Sequence, residues 1–395
     1  MKVIGLMSGT SADGVDAALV EIGREGSRPR IRLLAFETLT YPGGLRERIL
    51  AAASGGSTEE VCQLNAYLGG LFAEAAEQVA GLAGVPMQDV DLVGSHGQTI
   101  HHLPAPRQEG RDIVRSTLQI GEPAVIAERT GVTTIADFRP RDLAAGGEGA
   151  PLTPIVHHAL FALPDRGRVI LNLGGIANVT VLPAGGDPST VMGFDTGPGN
   201  VLLDEFVRVT GLSASGFDED GRLAAAGRVQ PDLLQELLDH PFVGRTPPKS
   251  TGRETFGPAL VGAFRTRLRA ADVVNLDGLA TLTAFTVAAV IRNLRDFVLP
   301  KVEVREVIVT GGGARNACVM RGLTAELTEC RVRPADALQI PGQAIEAIAF
   351  AYLAYLTATG QPGNLPGVTG AQGPRILGCI VPGRGFQGLG VADAG

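Results

Sequence analysis

Two stretches of this chain share one layout: an apolar run, a turn dense in small residues, then a second apolar run. The first is GLMSGTSADGVD, residues 5–16, and the second is NLGGIANVT, residues 172–180. Glycine lets a tight turn form between strands and lets backbone N–H groups come close to a neighbour. A chain that opens two of its regions this way is constrained to build strand-led α/β structure twice.

The surrounding pattern agrees. Apolar spacing predicts strands over 2–7, 15–22 and 30–40, then helices over 45–53 and 58–83. Thr58 followed by Glu59 and Glu60 marks a helix start, with acids favoured by the dipole. A strand over 91–94, a helix over 122–129 and a strand over 132–136 complete a βββαβαβ order. In the second half, strands are predicted at 168–173, 179–182, 191–194 and 304–309. Helices are predicted at 201–210, 231–238, 257–270, 279–297 and about 343–357, and a closing strand at 375–380. The expected fold class is α/β, two-lobed and duplicated, with ligands in the cleft between lobes. The Pro/Gly-rich stretch DFRPRDLAAGGEGAPLTP, 137–154, reads as the lobe crossing. That divides the chain into 1–137 plus about 367–395, and 138–366.

Composition narrows the function. A formal net charge of −7 over 395 residues, with no basic stripe, argues against nucleic acid or an acidic membrane face as partner. The apolar stretches at 279–291 and 344–356 are short for a bilayer span and carry Thr, Tyr or Glu, so they read as core helices. The N-terminus enters its glycine turn too soon for a secretory signal. Cys62, Cys318, Cys330 and Cys379 lack paired spacing, which fits reduced thiols in a cytoplasmic protein. The adjacent pairs His101–His102 and His157–His158 do not suit one metal.

The first turn, Gly9, Thr10, Ser11, Ala12, Asp13, Gly14, Val15 and Asp16, has what a phosphate cradle needs. Backbone amides and hydroxyls serve as donors, and a carboxylate can hold hydrated Mg²⁺. Asp13 is the first choice for that metal contact and Asp16 the second. The alternative is a plain Asp-Gly hairpin turn. Gly174 and Gly175, with Gly197 and Gly199, form a second candidate cradle, or only tight strand turns. Gly311, Gly312 and Gly313 stand at a strand-to-helix junction, suited to a nucleotide or to close packing. No GxxxxGK[ST] motif is present.

Seven segments, GLMSGTSADGVDAALVE, GSHGQTIHH, ADFRPRDLAAGGEGAPLTP, NLGGIANVT, FDTGPGN, TGGGARN and TGAQGPRILG, run in this order along the chain. Together they resemble the bacterial anhydro-N-acetylmuramic acid kinases, within the actin–hexokinase–chaperone superfamily. The resemblance implies an RNase H-like fold in each lobe with ATP and Mg²⁺ in the interlobe cleft. It also implies a homodimer acting on a small amino-sugar. The implied reaction serves peptidoglycan recycling: ATP and water convert 1,6-anhydro-N-acetylmuramate into N-acetylmuramate 6-phosphate. Its rivals are an ordinary sugar kinase of the same superfamily and a non-enzymatic nucleotide switch.

The resemblance also assigns roles. It places adenosine near Gly311–Gly313. Asp195 becomes the general base that takes a proton from the attacking water; by residue pattern alone, an Asx turn competes. Arg139 is the candidate for the substrate carboxylate, against a surface ion pair. Glu346 is the candidate for sugar hydroxyls or the water, against complementing a helix dipole. His96 and Gln98 follow a strand and are candidate pocket-lining residues, against structural hydrogen bonding.

Overall fold

The computed structural model describes residues 1–9, 11–26 and 28–386. It divides into two compact units, one of residues 1–160 and 344–395, the other of residues 161–343.

In the first unit, β1 (Lys2–Ser8), β2 (Gly14–Glu25) and β3 (Arg28–Thr40) form an antiparallel meander, and β4 (Leu92–Glu109) runs parallel to β1. β5 (Asp112–Ile120) pairs with β4 as a hairpin, and β6 (Thr134–Ala136) lies parallel to β4 on its other side. The path is β3-β2-β1-β4-β6, closed by a short antiparallel strand, Cys379–Val381. β1 is apolar and buried along nearly its whole length, as a central strand covered on both faces must be. The helix Thr58–Leu82 buries Leu64, Leu68, Phe72, Ala76 and Val79 at helical spacing against one face. Its cap is Ser57, whose Oγ accepts from the Glu60 amide at 3.1 Å, one residue before the expected start.

The helix Ala344–Ala358 covers the strands β1, β2 and β4. Its backbone touches theirs. A Cβ at Gly5 would fall 1.8 Å from the Ala347 carbonyl oxygen, and one at Gly94 would fall 2.1 Å from that of Phe350.

In the second unit, β7 (Gly167–Leu173), β8 (Ile176–Leu182) and β9 (Met192–Pro198) form the same meander. β10 (Val304–Thr310) is parallel to β7, and β11 (Arg331–Pro334) is parallel to β10. The path β9-β8-β7-β10-β11 repeats β3-β2-β1-β4-β6 strand for strand, so the duplicated RNase H-like plan holds. Valines and leucines of β7, β8 and β10 pack with Val290, Ile291 and Leu294. Inside the sheet, Arg168 donates to Glu306 at 2.6 Å, and Arg333 donates to the other oxygen of that carboxylate at 2.9 Å. The helix Asn275–Asn293 continues through one wide π turn, Leu294–Val298.

Two expectations need correction. The lobe limits of 137/138 and about 366/367 move to 160/161 and 343/344. The stretch 137–154 folds back within the first unit because the buried Asp142 fastens it there. Asp142 accepts from the Gly149 amide at 2.8 Å, Asn364 Nδ2 at 2.7 Å and Thr369 Oγ1 at 2.8 Å. The strand expected over 91–94 is an 18-residue strand, and the β4–β5 ribbon was not foreseen. Pro104 and Pro106 obscured its pattern.

Candidate active site

The β1–β2 turn is tied down from behind. Ser8 Oγ lies 2.7 Å from both the Gly14 carbonyl and Gln98 Oε1, and the Tyr41 hydroxyl donates to it at 3.0 Å. Gln98 Nε2 donates to the Gly9 carbonyl at 3.2 Å. Gln98, expected in the sugar pocket, braces the β1–β2 turn. A Cβ on Gly14 would meet the Leu39 carbonyl at 2.6 Å, so packing against β3 alone demands that glycine. Gly9 has open space beside it. Thr10 lies outside the described residues. Ala12 is held at φ +51, a left-handed conformation uncommon for alanine. Asp13 is exposed and accepts from Ser11 Oγ at 2.8 Å. Val15 is buried in the core, while Asp16 accepts from Thr38 Oγ1 at 2.6 Å. Burial raises the Asp16 pKa and the charge of Asp13 adds to that, against the Thr38 bond.

Behind this turn lies a guanidinium. Arg139 Nη1 donates to the Gly149 carbonyl at 2.7 Å, and Nε donates to His96 Nε2 at 3.0 Å. His96 Nδ1 lies 2.8 Å from the Gly97 carbonyl, which can only accept. The imidazole is thus the Nδ1–H tautomer, and Nε2 accepts from Arg139. Burial, with Arg139 close by, pushes the His96 pKa well below its ordinary value and keeps the ring neutral. Burial also lowers Arg139 to about 10, opposed by the charges of Glu346 and Asp142. Glu346 sits deep among protein atoms yet keeps a solvent-exposed side chain. Its pKa is raised by that depth first and by Asp16 second, while Arg139 lowers it. His96, Arg139, Glu346 and Asp16 therefore share one electrostatic neighbourhood.

In the second unit the β7–β8 turn meets the end of β9. The amides of Gly199 and Val201 donate to the Gly175 carbonyl at 2.9 and 3.1 Å, and the Asn200 amide donates to that of Gly174 at 2.8 Å. A Cβ on Gly199 would strike the Gly174 carbonyl at 2.2 Å, and Gly197 needs φ +147. These two glycines join the turns, while Gly174 and Gly175 have room beside them. Gly311 and Gly313 are required where that segment crosses Leu173 and Asn172. The following helix, Ala317–Glu326, is capped by Asn316, whose Oδ1 accepts from the Cys318 and Val319 amides. Gly312 alone of the three has no close neighbour to its missing Cβ.

Asp195 lies within β9, opposite Asn178, rather than after the strand's end. Its amide donates to the Lys249 carbonyl at 3.1 Å, and its Oδ2 accepts from the Thr251 amide at 2.9 Å. The segment around 249–251 thus holds the carboxylate from a distant part of the chain. Lys249 is buried, donates to the Phe242 and Val243 carbonyls at 3.0 and 3.1 Å, and lies over two Phe rings. Burial brings its pKa down to about 8, opposed by the charge of Asp195. Neither Lys249 nor Thr251 was anticipated from the sequence, although PPKSTG, unusual in carrying a lysine amid small residues, was a visible signal.

Two units of one strand order, each opened by a glycine-edged hairpin, make a duplicated α/β fold whose turns suit phosphate binding. The chain belongs to the anhydro-N-acetylmuramic acid kinase family, whose model matches residues 1–383. An anhydro-N-acetylmuramic acid kinase of Gloeobacter violaceus is 46% identical over 382 residues, covering 96% of this chain and 98% of that one. Those of Caldanaerobacter subterraneus subsp. tengcongensis and Salinibacter ruber are each 44% identical, with 96% of both chains covered. Phosphorylation of a sugar hydroxyl with ATP as donor follows from that membership.

Proposed function

We propose that the protein opens 1,6-anhydro-N-acetylmuramate hydrolytically and phosphorylates it in one reaction, in peptidoglycan recycling. Water adds to C1 and gives its proton to the Asp195 carboxylate, the C1–O6 bond breaks, and O6 bonds to the γ-phosphorus as ADP leaves. The leaving oxygen is captured by phosphorus, so a dedicated acid to protonate it is dispensable. Asp195 suits the base role because the Thr251 amide fixes one carboxylate oxygen and so orients the group. Arg139, held by His96 and Gly149, receives the substrate carboxylate, and Glu346 a sugar hydroxyl.

The backbone amides of the β1–β2 turn, and those of Gly174 and Gly175, are our candidates for the phosphates, and Gly312 for the adenosine. Mg²⁺, bound with ATP, would neutralise phosphate charge during transfer. Asp13 offers an exposed oxygen donor and Asp16 a second, the hard ligand type this ion takes, with water and phosphate completing its shell. Among the described residues no cluster of three His, Cys, Asp or Glu is placed to chelate a metal unaided. Among the same residues no helix is long and apolar enough to cross a membrane. Cytoplasmic location and a homodimer complete the proposal; the four unpaired cysteines fit the former.

The observation that carries this reading is family membership across nearly the whole chain, joined to an anchored Asp195. Turnover in H₂¹⁸O tests it, with the heavy isotope expected at C1 of the product. Label absent from C1, with phosphate transferred, would favour a simple sugar kinase. Asp195→Asn is expected to abolish turnover and retain ATP binding by calorimetry.

A further inference from the structure

The reaction above gives no part to Lys249, although burying an ammonium is costly and calls for a return. Its Nζ donates to the Phe242 and Val243 carbonyls at 3.0 and 3.1 Å. It also lies 4.8 Å from the centre of the Phe242 ring and 5.4 Å from that of Phe297.

Two routes lead from these groups back to Asp195, all within residues 161–343. The first is apolar: Phe297, in the π turn, meets Phe194 edge to face at 6.4 Å, and Phe194 precedes Asp195. The second is polar. Asn293, fully buried at the end of its helix, has Nδ2 at 3.3 Å from the Val243 carbonyl and 3.1 Å from that of Thr196, which follows Asp195. The backbone closes this ring. The Asp195 amide donates to the Lys249 carbonyl at 3.1 Å, and the Thr251 amide donates to Asp195 Oδ2 at 2.9 Å.

Four charges surround the ammonium. Arg245 and Arg292 oppose its protonation, while Asp195 and Asp296 favour it. His240, behind Phe242, accepts from the Phe242 amide through Nδ1 at 3.2 Å, and burial lowers its pKa, so the ring is neutral. Burial brings the Lys249 pKa down to about 8, and the ammonium still predominates at pH 7.

We propose that Lys249 is a positioning residue: it locks the 249–251 segment and the end of β9 together around the Asp195 carboxylate, and its charge favours the anionic base. The role of Asp195 as base rests on the reading above. Lys249 itself meets no reacting atom in this assignment.

Lys249→Met, Lys249→Gln and Lys249→Arg test it. Methionine removes charge and donors, glutamine keeps donors without charge, and arginine keeps both. Thermal melting and the stoichiometry of calorimetric ATP binding give the folded fraction, so rates are taken per folded molecule. Lys249→Met and Lys249→Gln should lower kcat about tenfold or more and leave KM for ATP and sugar within a few-fold. The acid limb of kcat/KM for the sugar should move to higher pH by about half a unit or more, because the carboxylate has lost a positive neighbour. A merely structural role leaves that limb in place. Lys249→Arg should recover most of kcat and return the limb. Where Lys249→Met does not fold, Lys249→Gln decides. An unmoved limb or an unchanged kcat per folded molecule overturns the proposal, and the base reading stands if Asp195→Asn is inactive. Near-normal turnover by Asp195→Asn overturns the base reading itself, and the role of Lys249 with it.

Discussion

At the scale of single residues, the useful distinction is between side chains that meet a ligand and those that hold them. His96 belongs to the second kind: a neutral ring whose Nε2 fixes a guanidinium. His96→Phe fills the space without supplying an acceptor. It is expected to raise KM for the sugar about tenfold, the cost of a lost charge-assisted bond, with little effect on KM for ATP. Gln98 should behave oppositely, because it grips the Gly9 carbonyl. Gln98→Ala should raise KM for ATP several-fold and spare the sugar, as steady-state kinetics with each substrate varied would show. His157 gives a pH effect. Burial lowers its pKa to about 4, below the ordinary 6.5. The unfolded chain then binds the proton more readily, so its contribution is complete above pH 6.5 and lost as pH falls through 4. That loss is roughly 3 kcal/mol in urea-unfolding free energy, and His157→Asn should flatten that acid limb.

At the scale of elements, glycines at 5 and 94 let the helix Ala344–Ala358 lie directly on the sheet. Gly94→Ala should cost about 3 kcal/mol or more by denaturant titration, because backbone rather than a movable side chain occupies the space. It should also raise KM for the sugar, since the same helix carries Glu346. The strands and helices with clean apolar periods were legible in the sequence, from 2–7 to the last helix. The β4–β5 ribbon was not, because its outer half alternates exposed polar residues with two prolines and buries little. The glycine turns between β1 and β2 and between β7 and β8 were also legible. Their supports were not: Asp142, Lys249 and Thr251 act through burial and long-range bonds, which local spacing does not encode.

At the scale of the whole molecule, residues 161–343 form a compact unit from one continuous segment, whereas the other unit draws on both ends of the chain. A protein made of residues 161–343 alone is expected to fold, with a cooperative thermal transition and dispersed amide resonances. Residues 1–160 alone should not, because the sheet they form lacks its helix and Asp142 lacks Asn364 and Thr369. Native-like spectra from the 1–160 fragment would contradict that.

The late helix also sets an order of events at the ribosome. When residue 160 emerges, the first-made strands have one apolar face uncovered, and it stays so while the next 183 residues are translated. The inserted unit has time to mature first, and the earliest-made strands are the last to be sealed. During that interval the nascent chain depends on chaperones, or on the speed of elongation, to keep a finished sheet from finding the wrong partner.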